Sequence, residues 1–219
     1  MVDLIHGLRA ETVRENLERV HEQIVAAGRE PDGVEILAAV KYLPAGELGA
    51  LSEAGVRLVG ENRAQDLLAK VQAHPDAFTW DFIGHLQSRK VRDILPAVRY
   101  IHSVSSDSVL AQLGRHGDER TQVMIEVNVA GEAGKTGIDP VELEGYLERC
   151  PVRVVGLMTM PPLTADPEDS RPHFAALRGL SERHGLAHLS MGTSQDYVVA
   201  LQEGATIVRL GTTLYAGTP

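Results

Sequence analysis

Lys41 follows directly on the apolar run Val34–Val40. A primary amine at the end of a buried segment can do one of two things. It can reach into solvent as an ordinary cation, or it can sit partly desolvated with a lowered pKa and form a Schiff base with a carbonyl. Two later segments have the composition of anion cradles. Gly192-Thr193-Ser194 follows the run His188–Met191 and reads as the opening of a helix, with backbone N–H groups and the Ser194 hydroxyl pointing at negative charge. Gly211-Thr212-Thr213 repeats small residues and hydroxyls after Thr206–Leu210. A single helix terminus holds an anion by only about 0.3–1 kcal/mol. One cap is therefore no site, whereas two adjacent loops and a covalent anchor would be. Arg209 interrupts the last apolar run. Its guanidinium cannot give up its proton, so it either turns inward to a partner or outward to a helix carboxylate. The local pattern leaves both open.

Other groupings carry less. Gly131-Glu132-Ala133-Gly134-Lys135-Thr136 has the end of a phosphate-binding loop, but Val129 stands where the first glycine belongs. His21-Glu22 begins a zinc-protease pattern, and Val25 occupies the place of its second histidine. The nine histidines are scattered, so no metal site is indicated, and the G-x-S-x-G signature of hydrolases is absent.

The elements that must hold these residues alternate. Val13, Leu17, Val20 and Ile24 recur at helical spacing up to Gly28. Strand-like runs follow at Val34–Val40, Val56–Val59, Trp80–Ile83, Tyr100–His102, Gln122–Val129, Val152–Met158, His188–Met191 and Thr206–Leu210. Helical faces lie between them, among them Val109, Leu110 and Leu113 ending at Gly114, and Leu143 and Leu147 behind an Asp139-Pro140 cap. Ser194 is expected to cap the helix carrying Val198, Val199 and Leu201. Eight strands with helices between and no hairpin signal imply an all-parallel sheet. Eight strands also close a (β/α)8 barrel, in which chemistry gathers at the C-terminal strand ends. A doubly wound open sheet satisfies the same element count. Only about nine residues follow the last strand, too few for a normal eighth helix, so the N-terminal helix can close the ring in its place.

The chain has 219 residues, 43% hydrophobic, enough for one domain with a full core. Lys plus Arg number 21 against 30 for Asp plus Glu, and the net charge of −9 argues against a nucleic-acid partner. Cys150 is the only cysteine and cannot form an intramolecular disulfide. No apolar run approaches the roughly 18 residues of a membrane span, and the N-terminus lacks the shape of a signal peptide. The expectation is a soluble cytoplasmic protein of one domain, 1–219, with residues 1–30 as a helix packed on the barrel.

Taken in order, the strand-end residues resemble the pyridoxal 5′-phosphate (PLP) homeostasis proteins, the YggS/PROSC-like family. The carrying segments are Leu37 to Lys41, Gly60-Glu61-Asn62-Arg63-Ala64-Gln65, Phe82 to Ser88, Gly131 to Gly137, Gly156-Leu157-Met158, Ser190-Met191-Gly192 and Val208 to Thr212. The resemblance implies a single-domain (β/α)8 TIM barrel like the N-terminal domain of alanine racemase, with an extra N-terminal helix. It implies an intracellular PLP carrier or buffer that delivers PLP to apo-enzymes, with no established turnover. It further implies Lys41 as the Schiff-base lysine and Arg209 facing the pyridine nitrogen, with Asn62 beside the ring. Ser194, Gly211 and Thr212 match phosphate contacts, and Met191 and Gly192 complete the cofactor-binding set. Lys135 matches a recurrent lysine without an assigned role. Val40, Thr193 and Gln195 depart from the family's usual serine, methionine, and acidic residue or glycine. The partners implied are PLP and apo PLP-dependent enzymes, with the chain a monomer or weak dimer. The alternative is a PLP-dependent amino-acid racemase. That reaction needs acid and base on opposite faces of the substrate α-carbon; related racemases take one from a second domain, for which this chain has no residues left. A barrel isomerase of phosphorylated substrates, using a free lysine, is a third reading.

Overall fold

Eight parallel strands close into a barrel in the computed structural model, which describes residues 4–217. The strands are β1 (Glu35–Ala39), β2 (Leu58–Glu61), β3 (Thr79–Phe82) and β4 (Tyr100–Val104), then β5 (Gln122–Glu126), β6 (Arg153–Met158), β7 (His188–Thr193) and β8 (Ile207–Leu210). Each pairs with its neighbour in sequence, and β8 returns to β1 with Arg209 opposite Leu37. That closure excludes the open sheet. Strands covered on both faces read as continuous apolar runs rather than alternating ones, which is why their positions were legible.

The helices are α1 (Ala10–Ala26), α2 (Leu48–Glu53), α3 (Ala64–Ala73), α4 (Val91–Ile94) and α5 (Asp107–His116). They continue with α6 (Leu143–Arg149), α7 (Arg171–Arg183), α8 (Tyr197–Gln202) and α9 (Thr212–Tyr215). The helix after β8 is a single turn, and α1 packs against it where a full eighth helix would lie. Val13, Val20 and Ile24 are buried as the spacing predicts. Asn16 is also buried, because its amide donates to the carbonyls of Leu214 and Ala216, both at 3.0 Å, satisfying the open end of α9. The expected Asp139 cap is a capping box with Glu142, Pro140 following at the first turn.

Most strand ends shift by one or two residues, β2 running Leu58–Glu61 rather than Val56–Val59, and two further differences have a visible cause. β5 ends at Glu126 rather than Val129: Val127 makes only an isolated bridge to Ile138, and Asn128 turns the chain by donating from its side chain to the Glu132 carbonyl. Gly114 does not stop its helix. It has an ordinary helical backbone, a Cβ there would make ordinary contact with Pro151 at 3.5 Å, and α5 runs on to His116.

The main core lies between strands and helices. A second, smaller one fills the barrel, with Leu37, Met124 and Ile207 among its members. The two-residue period of a strand puts Arg209 on the same inward face as Ile207. Among the described residues, no helix is long and apolar enough to cross a membrane.

Candidate functional site

A cavity of about 400 Å³ opens at the C-terminal mouth of the barrel, where Lys41, Asn62, Ser194, Arg209, Gly211 and Thr212 meet. Lys41 lies in the turn just beyond β1, exposed, with its ammonium 4.9 Å from the centre of the Tyr42 ring. Among the described residues no carboxylate pairs with it. The backbone before it is fixed. Buried Val40 donates its N–H to the Gly60 carbonyl at 2.9 Å and accepts from the Lys70 ammonium at 2.7 Å. Lys70 is ion-paired with fully buried Glu61, whose other oxygen accepts the backbone N–H groups of Asn62 and Arg63. One buried pair thus ties the end of β1 to the loop after β2. Lys70 was missed from sequence; the available signal was a lysine three residues after Leu67, on the buried face of α3. Asn62 reaches the cavity because Gly84 lets the next loop close on it: a Cβ at Gly84 would stand 2.1 Å from the Asn62 carbonyl oxygen.

The loop after β7 corrects one expectation. Ser194 does not cap a helix, since α8 begins only at Tyr197. The turn is closed by Asp196, whose carboxylate accepts from the Thr193 N–H at 2.7 Å, the Thr193 hydroxyl at 3.0 Å and the Ser170 hydroxyl at 3.1 Å. The Ser194 hydroxyl oxygen is thereby left facing β8, where it accepts the N–H groups of Gly211 at 3.2 Å and Thr213 at 3.1 Å. The two expected anion loops are joined through this side chain. Gly192 has φ +90°, and a Cβ there would meet Ala200 at 2.6 Å, so it shapes the turn without lining the cavity. Met191 is a second correction. Strand alternation turns it outward, and it is fully buried in the core under the helices rather than in the cavity.

Arg209 points inward and is almost fully buried, which removes the outward, carboxylate-paired alternative. Its partners are neutral. Nη1 donates to the Ser190 carbonyl at 2.7 Å and hydroxyl at 2.6 Å; Nη2 donates to the Thr159 carbonyl at 2.8 Å and the Met160 sulfur at 2.9 Å. Four of its five N–H donors are thus engaged, and among the described residues the Nε–H has no acceptor. Burial pushes its pKa down to about 10, with Asp196 and Glu126 opposing from a distance, so it stays charged at neutral pH. Buried Glu126 accepts from the Thr136 hydroxyl, and its pKa is raised by desolvation. Lys135 lies outside the cavity, paired with Glu132 at 3.2 Å. Met160, just past the end of the strand-like run Val152–Met158, also lines the cavity, as does Tyr215, which no local signal marked. Tyr215 donates its hydroxyl to the Ala39 carbonyl at 3.3 Å.

An exposed amine, two hydroxyl-bearing loops and a buried arginine with one open donor can take up a small planar molecule carrying a carbonyl, an anion and a ring acceptor. Comparison with known proteins agrees with this chemistry. Residues 9–219 match the family model described as alanine racemase, N-terminal domain. The pyridoxal phosphate homeostasis protein of Aquifex aeolicus is 39% identical over 213 residues, covering 91% of this chain and 93% of the relative. The solved structure of PipY from Synechococcus elongatus with PLP bound superposes with a TM-score of 0.78 at 31% identity, over 93% of this chain and 100% of that one. Alanine racemase from Corynebacterium glutamicum shares the fold, with a TM-score of 0.74 at 14% identity over 100% of this chain and 64% of the racemase.

Proposed function

The chain belongs to the pyridoxal phosphate homeostasis proteins, built on the alanine racemase N-terminal domain, and from that premise we propose that it binds PLP at the C-terminal mouth of its barrel as a cytoplasmic carrier. PLP supplies an electrophilic aldehyde, a phosphate and a pyridine ring. The residues present fit each part. Lys41 is the amine for the aldehyde carbon. Ser194, Gly211 and Thr212 take the phosphate, Asn62 lies beside the ring, and the Nε–H of Arg209 is left to meet the ring nitrogen. The observation that carries the reading is the gathering of all of these around one cavity of about 400 Å³.

The same arginine argues for a carrier over a racemase. A guanidinium donates a hydrogen bond to the ring nitrogen without handing over its proton, and an unprotonated ring is a weak electron sink. Each 1.36 kcal/mol of lost transition-state stabilisation costs about tenfold in rate. PLP is held, then released to apo PLP-dependent enzymes, by a chain that acts as a monomer or weak dimer.

The test is borohydride reduction of the PLP-loaded protein followed by peptide mapping, with transfer to an apo-aminotransferase and α-hydrogen exchange of amino acids in deuterated water measured alongside. The pyridoxyl group is expected on Lys41, with transfer and without exchange. Modification of Lys90 or Lys135 while Lys41 stays free would overturn the site. Exchange at about 1–10³ per second, the ordinary enzymatic range, would promote the racemase.

A further inference from the structure

The barrel interior holds a polar chain that the binding site does not require for contact with a ligand. From Arg209 at the C-terminal mouth, Nη1 reaches the Ser190 hydroxyl at 2.6 Å; Ser190 lies 2.8 Å from His102 Nδ1, and His102 Nε2 lies 3.0 Å from Asp81. Asp81 is held at both oxygens by Arg99, at 3.0 and 2.7 Å, and Arg99 pairs onward with Glu35 at the opposite end of the barrel. Ser190, His102 and Asp81 are fully buried. We infer that Ser190 and His102 are positioning residues for Arg209, clamping its guanidinium so that only the Nε–H is left to face the cavity. The inference rests on the PLP reading, which supplies the ring nitrogen that the Nε–H would meet.

Proton counting selects one arrangement. Ser190 accepts from Arg209, so its own hydrogen needs an acceptor. His102 Nδ1 provides it only when the ring is neutral with its proton on Nε2, the nitrogen facing Asp81. Every link is then satisfied. The charges agree: two arginines balance Asp81 and Glu35, whereas a protonated His102 would add a cation, itself fully buried, between partly exposed Arg99 and buried Arg209. The other ionisable groups nearby are Asp196 and Glu126, which act on Arg209 from the turn after β7 and from β5, and His188, whose ring on β7 lies tilted 5.6 Å from Tyr100. Burial also holds the His102 pKa below its ordinary value, with Arg209 and Arg99 acting in the same direction against Asp81.

The experiment compares PLP with deaza-PLP, which has carbon in place of the ring nitrogen, on the wild-type protein and on Ser190→Ala, His102→Leu and His102→Gln. The wild type should prefer PLP. Ser190→Ala, which leaves Arg209 its two carbonyl contacts and should fold, is expected to lose about fivefold or more of that preference with little change for deaza-PLP. His102→Leu should match it, and His102→Gln, whose amide offers both a donor group and an acceptor, should keep part. Nitrogen NMR of the unloaded protein should show His102 neutral and protonated on Nε2 throughout about pH 5–8. Equal loss for both ligands means a merely structural role and overturns the inference, as does a His102 that titrates in that range. A wild type that binds PLP without preferring it to deaza-PLP also overturns it, while the PLP reading stands. Binding of neither ligand removes both.

Discussion

Ser194 places its hydroxyl oxygen against two backbone N–H groups, those of Gly211 and Thr213. These are donors at the start of the single-turn helix α9, which has no side-chain cap of its own. A phosphate arriving there meets the same donors together with the serine hydroxyl, which can rotate to donate. Neutral hydrogen bonds contribute about 0.5–1.5 kcal/mol net. Ser194→Ala and Thr212→Ala are therefore each expected to weaken PLP binding by about 2- to 10-fold and to leave pyridoxal, which lacks the phosphate, nearly unaffected. Equilibrium titration with both ligands checks this, and equal losses for the two would remove the phosphate from these loops. At this scale the sequence indicated which residues gather but not the partner of each. Ser194 carried the signature of a cap, yet Asp196 two positions on closes the turn. Nothing local distinguishes a serine that caps its own helix from one turned toward the next strand.

The elements were legible because their signals are local: apolar runs for β1 to β8, helical spacing for α1, a proline-bearing cap before α6. What escaped was any contact between elements distant in sequence. Lys70 is an instance. On α3 it looks like one more helix lysine, but its ammonium holds the Val40 carbonyl and buried Glu61, fixing the turn that carries Lys41. Met191 is another, since a strand's two faces cannot be assigned to barrel and helices until one inward residue is known. The Lys70–Glu61 pair yields an expectation of its own. Removing one partner of a buried ion pair leaves an uncompensated charge and destabilises by about 3–5 kcal/mol. Lys70→Ala should lose stability on that scale in urea unfolding. It should also bind PLP more weakly, because the peptide before Lys41 loses its anchor. Retention of wild-type stability would show that water or a rearranged loop replaces the ammonium, and that the tether does not set the position of Lys41.

Taken whole, the molecule carries ionisable groups in a barrel interior that such folds mostly fill with branched apolar side chains, and acid should act on it there. His102 and half-buried His188 have pKa values lowered mainly by desolvation. Below about pH 6.5 the unfolded chain protonates these histidines while the folded chain does not. The unfolded state then binds more protons, and stability falls with pH, by up to about 1.4 kcal/mol per pH unit for a group as buried as His102. Asp81, held below the usual carboxylate range against the cost of its burial by His102 and Arg99, adds a loss in the same direction at lower pH, where the unfolded chain takes up its proton before the folded one does. Glu126 opposes them. Desolvation raises its pKa, so the folded state takes up its proton first as pH falls toward the ordinary carboxylate value, which stabilises. With two histidines against one carboxylate, urea midpoints are expected to drop between about pH 7.5 and 5.5. His102→Gln, which cannot titrate, should be less stable at neutral pH but flatter across that interval. A wild-type midpoint that holds constant down to about pH 5.5, or a variant slope equal to the wild type's, would mean that His102 is not kept neutral in the folded barrel.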